Sequence, residues 1–289
     1  MPDLQSNTVQ HTLCIPLYGR MVAAEQYPDL FPDRDAGRIV RELGMDFSGE
    51  KICRTQYMWM NSLIRQYNLA WEIDRYLEKH PRAAVVELGA GLSCLRRQMG
   101  NETNPWYCLD LPDVIALRDK HIPLGQREKN IVCDLNDFAW FDQIDFDPAE
   151  GIVFTAGGLF YYFEGSQVRR LFCAMADRFP GGMLTFDACN ALGLKGVNAE
   201  VKLAGNKTKS FFSLERPKEE LEGWSPNIVG VSEKEYIGGY LKSGYRKDWF
   251  FRVAEWFMRL NHMSFMLHVE FREAEKVRER QLDSTIKYG

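Results

Sequence analysis

Ala83-Ala84-Val85-Val86-Glu87-Leu88-Gly89-Ala90-Gly91 is a short apolar run that stops at a Gly-x-Gly turn. A run of this kind reads as a parallel strand buried on both faces and entering a tight turn. The pattern returns downstream. Trp106-Tyr107-Cys108-Leu109-Asp110, Asn130-Ile131-Val132-Cys133-Asp134, Gly151-Ile152-Val153-Phe154-Thr155 and Gly182-Met183-Leu184-Thr185-Phe186-Asp187 supply further strands. Helical patterns separate most of them, most clearly over 165–178, where Val168, Leu171, Phe172, Met175 and Ala176 share a face. Strands alternating with helices predict an α/β, Rossmann-like, doubly wound parallel sheet.

Outward from this core, residues 1–81 read as a helical cap. Pro32-Asp33-Arg34-Asp35 can cap a helix carrying Ala36, Ile39, Val40 and Leu43, and a second helix runs from about Thr55 to Lys79 before His80-Pro81 stops it. Residues 82–289 read as the core, with a polar, glycine-containing insertion at about 190–225 that would lie over the sheet. Ser264 to Phe271 reads as a late strand, and the charged tail from Arg272 as an exposed helix.

With 45% apolar and 26% charged residues and a formal net charge of -4, the 289-residue chain fits a globular domain and excludes disorder. Lys and Arg are mixed among the acids, so no electrostatic footprint for nucleic acid arises. The apolar runs fall short of the roughly 18–20 residues of a membrane span. The start of the sequence has no basic leader with an apolar stretch, so no signal peptide and a cytoplasmic location are expected. Seven scattered cysteines, never as CxxC, point to reduced thiols. A small-molecule partner is the default.

Parallel sheets bind ligands at the carboxyl ends of their strands. A dinucleotide fingerprint requires a third Gly or Ala three positions after Gly91, and Cys94 stands there. Asp110 ends the second strand 19 residues after Gly91, where a carboxylate accepts hydrogen bonds from ribose hydroxyls. Asp134-Leu135 follows the third strand, where a carboxylate can take an exocyclic amine while an apolar neighbour covers a base. No GxxxxGK[ST] sequence occurs. The result is an adenosine pocket without a phosphate cradle.

Val85-Val86-Glu87-Leu88-Gly89-Ala90-Gly91-Leu92, the Trp-Tyr-Cys-Leu-Asp-Leu-Pro-Asp of 106–113, Phe179-Pro180-Gly181-Gly182 and Ile15-Pro16-Leu17-Tyr18-Gly19-Arg20 together resemble the leucine carboxyl methyltransferase family, and within it the bacterial branch of polyketide-synthesis O-methyltransferases. The resemblance implies a class I fold using S-adenosylmethionine. On it, Gly89 and Gly91 would pass under the methionine part of the cofactor, Asp110 would bind the ribose, Asp134 and Leu135 would hold adenine, and Arg65 would pair with the cofactor carboxylate. Glu87, Ala90, Leu111, Ala156 and Gly157 complete the cofactor set that it implies. The chain departs from the family at Leu92-Ser93-Cys94-Leu95, at Gly157 where many relatives carry glutamate, and at Ala70 where an aspartate is expected.

Methyl transfer from a sulfonium is an in-line displacement that requires alignment and no metal. A carboxylate acceptor is already ionised at neutral pH, whereas a phenol needs a base. None of the five histidines sits in a motif with a carboxylate, which favours a carboxyl acceptor. Tyr161 and Tyr162 are placed to wall the reacting methyl, with Tyr18 and Arg20 on the segment covering it and Arg20 able to pair with an acceptor carboxylate. Two alternatives stay open: a cofactor-binding protein with little turnover, and a protein C-terminus as acceptor. A nicotinamide oxidoreductase is disfavoured by the absent third glycine.

Overall fold

The computed structural model describes residues 13–30, 32–45, 55–203, 208–241 and 243–274; the expected tail helix beyond Ala274 and the first twelve residues lie outside this set. The described chain runs α1 (Cys14–Gln26), α2 (Arg34–Glu42), α3 (Gln56–Lys79), β1 (Ala84–Leu88), α4 (Leu95–Gln98), β2 (Trp106–Asp110), α5 (Pro112–His121), β3 (Glu128–Val132), β4 (Ile152–Ala156), α6 (Gly165–Arg178), β5 (Met183–Cys189), α7 (Ala191–Leu203), α8 (Pro217–Glu222), β6 (Ile228–Glu235), α9 (Trp249–Leu260) and β7 (Ser264–Phe271).

The strands form one sheet in the order β3-β2-β1-β4-β5-β7-β6. β1 lies at the centre, parallel to β2 (Val85 opposite Trp106) and to β4 (Val85 opposite Val153). β1 and β4 are buried at every position, which is why their sequences are unbroken apolar runs. β7 enters antiparallel between β5 and β6 (Leu184 opposite Val269). A doubly wound dinucleotide sheet ends 4-5-6 with all strands parallel. The antiparallel β7 separates this sheet from that type.

Each face of the sheet is sealed by its own cluster. On one, Phe154, Phe172, Phe179, Phe186 and Trp140 interlock in edge-to-face, tilted and stacked contacts with ring centroids about 5–6 Å apart. On the other, α3 lays Leu63, Ile64 and Ile73 across Val85, Val153 and Met266. Full burial of such side chains contributes roughly 1.5–3 kcal/mol each before the entropy cost of ordering them. Asp33 caps α2 by accepting from the amides of Asp35 and Ala36. Among the described residues no helix is long and apolar enough to cross a membrane.

Of the N-terminal helices, α3 packs directly on β4 and β5. The 190–225 stretch carries α7, whose Val197 and Val201 border the main cavity, and α8, which leads into β6 and packs on that strand. β6 escaped detection because, as an edge strand, it buries only Ile228 and Val231 and carries a weak apolar pattern.

Candidate active site

The carboxyl ends of β1, β2 and β4 open into a cavity of about 400 Å³, joined by a narrower pocket of about 80 Å³ beneath the glycine turn. Arg65, Ser62, Gly89 and Gly157 line both. Gly89 (φ +60°) and Gly91 (φ +52°) adopt the left-handed region that favours glycine. Side chains there would also collide, at Gly89 with Leu159 and at Gly91 with Leu13. The turn therefore has to be bare for anything to pass along it.

Asp110 closes the β2 side. Its Oδ2 accepts from the Gly91 amide at 2.7 Å and its Oδ1 from the Leu111 amide at 2.8 Å. Burial pushes its pKa up, and those two amides partly offset the push. Behind the turn, the buried Arg118 donates Nη1 to the carbonyls of Gly91 (2.9 Å) and Ser93 (2.8 Å), and Nε to Asn130 Oδ1 (3.1 Å). Glu87, facing the narrow pocket, accepts from Trp106 Nε1 at 2.7 Å and braces β1 against β2. Ala90 lines that pocket as well.

Asp134 and Leu135 lie just past β3, which ends two residues earlier than its sequence suggested. Asp134 Oδ1 accepts from the amide and the side chain of Asn136, both at 2.9 Å, while Leu111, Val114, Cys133 and Leu135 supply an apolar slot. The Cys133 thiol is pushed up to about 12 by burial, reinforced by the charges of Asp110, Asp134 and Asp137.

On the β4 side, Asp187 of β5 is a hub. Its Oδ2 accepts from Arg65 Nε and from the Tyr161 hydroxyl, each at 3.0 Å, and its Oδ1 from the Gly158 amide at 2.6 Å. Burial works against the Arg65 charge, but Asp187 more than restores it and its pKa rises. Burial, then the Asp187 charge, raises Tyr161 well above an ordinary phenol. A Cβ at Gly157 would come within 2.9 Å of Leu69 Cδ1 and 3.1 Å of Arg65 Cδ, so α3 occupies the room that a larger residue would need.

The remaining wall of the large cavity is neutral: Met58, Asn61, Tyr162, Gln167, Val197 and Val201. Several expected placements change. Arg20 does not reach this wall; it is buried under the glycine turn, its Nε donating to Asp33 Oδ2 at 2.6 Å and its Nη1 to the Leu92 carbonyl at 2.8 Å. α1 packs with Leu17 and Arg20 turned inward, which makes Arg20 a brace. Tyr18 lines neither cavity. Ala156 belongs to the core. Tyr161 faces the cavity, but its hydroxyl is committed to Asp187.

Sequence reasoning missed Asp187, Arg118, Asn61 and Gln167. Asp187 carried the same signal as Asp110, a carboxylate near a strand end. The other three sit in helical patterns where nothing separates them from surface residues.

A seven-stranded sheet with an antiparallel seventh strand and a glycine turn flanked by strand-end carboxylates defines the class I, Rossmann-like methyltransferase fold. No family model matches the chain. It is homologous to the tetracenomycin polyketide synthesis O-methyltransferase TcmP of Streptomyces glaucescens, 26% identical over 181 residues, which cover 62% of this chain and 66% of TcmP, just under two thirds of that protein. The crystal structure of a candidate methyltransferase from Thermobifida fusca YX superposes with a TM-score of 0.57 at 13% identity, covering 92% of this chain and 96% of that one. A DUF574-family protein of Streptomyces avermitilis superposes with a TM-score of 0.53 at 10% identity, over 82% of this chain and 89% of its own.

Proposed function

We propose that this chain is an S-adenosylmethionine-dependent O-methyltransferase acting on the carboxylate of a small molecule. The observation that carries the cofactor reading is the pairing of the bare Gly89-Ala90-Gly91 turn with the Asp110 carboxylate, held 2.7 Å from the Gly91 amide at the cavity edge. TcmP, by name an O-methyltransferase, supports the same reading. The cavity fits such a cofactor: Asp110 would take the ribose diol, Asp134 and Leu135 the adenine, and Arg65, which borders both pockets, the methionine carboxylate. When bound, the cofactor supplies a methyl group on a cationic sulfur.

This chain's residues have two tasks. They must hold the acceptor oxygen in line with that methyl, and they must keep water away. Met58, Val197 and Val201, with Leu13, Ile15 and Pro16 of the N-terminal segment, wall the cavity with apolar groups suited to a small acceptor rather than a protein terminus. We assign this covering role to α1, α3 and α7. The wall of Asn61, Tyr162 and Gln167 presents neutral polar groups, which suits an acceptor oxygen that arrives ionised. An ionised acceptor carboxylate held against this wall would need no proton removed before transfer.

Transfer of a labelled methyl group to a panel of aromatic and aliphatic acids, set beside their hydroxyl analogues, tests the acceptor. Ester products support the reading. Methylation of hydroxyls alone, with a rate rising as the phenol ionises, would replace the carboxylate by a phenolate.

A further inference from the structure

One helix remains unexplained by any role at the cavity. α9 buries Phe251 and turns Met258 toward α3, yet Trp249 (76%), Val253 (54%), Trp256 (63%) and Leu260 (67%) stand exposed on its other side. Phe250 and Phe257, one heptad apart, flank them and are also exposed. Single exposed apolar residues are ordinary, whereas a contiguous stripe marks a contact surface.

The steps 249 to 253 to 256 to 260 follow the four-three-four spacing of a helix-packing seam. The seam is also self-complementary. In an antiparallel pair related by a twofold axis between Val253 and Trp256, Trp249 meets Leu260 and Val253 meets Trp256, each large ring against a smaller side chain. Phe250 then faces Phe257 along one rim. At their exposures, the four aromatic rings leave on the order of 500 Å² per copy, taking roughly 150–250 Å² for each full side chain. With the two aliphatic residues and the rim this approaches the ~800 Å² per partner of a stable interface.

We infer that α9 is the dimerisation helix of this protein, and that its occupant is α9 of a second copy in antiparallel register. A lipid surface fits less well. An interfacial helix presents a polar face rich in Lys and Arg, whereas the opposite face of α9 is protein core, and Arg259 is already paired with Glu235 at 3.2 Å. Arg252 and Arg259 line the second rim, and with Arg259 paired to Glu235 the association rests on the apolar seam and should persist at high salt.

Sedimentation of the full chain from low to high micromolar concentration is the test. The expected result is a dimer that persists at high salt and weakens by at least about 30-fold, the range of an interface hot spot, in either Val253→Lys or Trp256→Glu. Thermal unfolding of these exposed-site variants at matched monomer concentration checks that each is folded. Mixing the two variants should restore a dimer, because the register sets the lysine introduced in one copy against the glutamate introduced in the other. A wild-type chain that stays monomeric throughout overturns the inference, as does a dimer indifferent to both variants. Binding to anionic vesicles that salt abolishes, without self-association, would assign the face to lipid instead.

Discussion

Asp187 near the end of β5 accepts the Nε–H of Arg65 at 3.0 Å and so ties α3 to the loop that follows β4. The carboxylate is buried, and the same oxygens also serve Tyr161 and Gly158. Removing one member of a buried pair strands the other, at a cost of about 3–5 kcal/mol. Asp187→Ala is therefore expected to lower the unfolding free energy by about 3 kcal/mol in urea titrations. Asp187→Asn, which keeps an acceptor oxygen, should lose less. A wild-type midpoint in the alanine variant would remove the hub from the account.

On its proposed role at the cofactor ribose, Asp110 is expected to make ligand binding depend on pH. Its pKa lies above the ordinary 3.8 because burial outweighs the help of the Gly91 and Leu111 amides. A carboxyl raised in the folded state contributes stability that is present below its unfolded value and lost as pH rises through the folded one. The proposed ribose contact would need the ionised form, so binding is expected to have the opposite dependence. The affinity for S-adenosylhomocysteine should begin to fall on acidification at a higher pH than an ordinary aspartate allows. Calorimetry across that range checks it. Asp110→Ala should weaken binding by at least about tenfold at neutral pH, since hydrogen bonds to a charged group are worth about 1.5–3 kcal/mol.

The strands and their ends were legible because burial on both faces leaves an unmistakable apolar run, as in Val85-Val86 and Val153-Phe154. Asp110 was legible for the same reason, as the polar residue that ends the buried run of β2, and Asp134 because it follows the apolar Ile131-Val132-Cys133, although only Ile131 of β3 is buried. β6 was not, since an edge strand that buries Ile228 and Val231 alone has little pattern to show. Arg20 is where pattern and packing part. Its sequence neighbourhood says that the segment is near the site, but only packing decides that its guanidinium turns toward Asp33 at 2.6 Å. Asn61 and Gln167 were silent because a helix face toward a cavity looks like one toward solvent.

Gly157 stands where many proteins of the resembled family carry glutamate, and the surrounding space explains the glycine. Its would-be Cβ lies 2.9 Å from Leu69 Cδ1, so a longer side chain must displace α3. Gly157→Glu should destabilise the protein by about 1–3 kcal/mol, the range of overpacking. It should also weaken S-adenosylhomocysteine binding, by placing a second carboxylate beside Arg65. Gly157→Ala should show a smaller loss, because Leu69 Cδ1 is the end of a flexible side chain. Thermal melts with and without ligand separate the two effects, and an unaltered Gly157→Glu melt would show that α3 yields freely.

Cys133 offers a reporter for the end of the cavity proposed to hold adenine. It lines the cavity beside Asp134, and its thiol is pushed up to about 12 by burial and by three neighbouring carboxylates. The thiolate is the nucleophile, so alkylation at neutral pH should be slow and should quicken about tenfold per pH unit in mildly alkaline solution. A ligand seated against Leu111, Val114 and Leu135 would cover the sulfur. Peptide mass spectrometry after timed iodoacetamide exposure is expected to show Cys133 protected by S-adenosylhomocysteine, while Cys173, on the partly exposed α6, reacts at the same rate with or without it. Equal labelling of Cys133 in both conditions would place the bound adenine elsewhere.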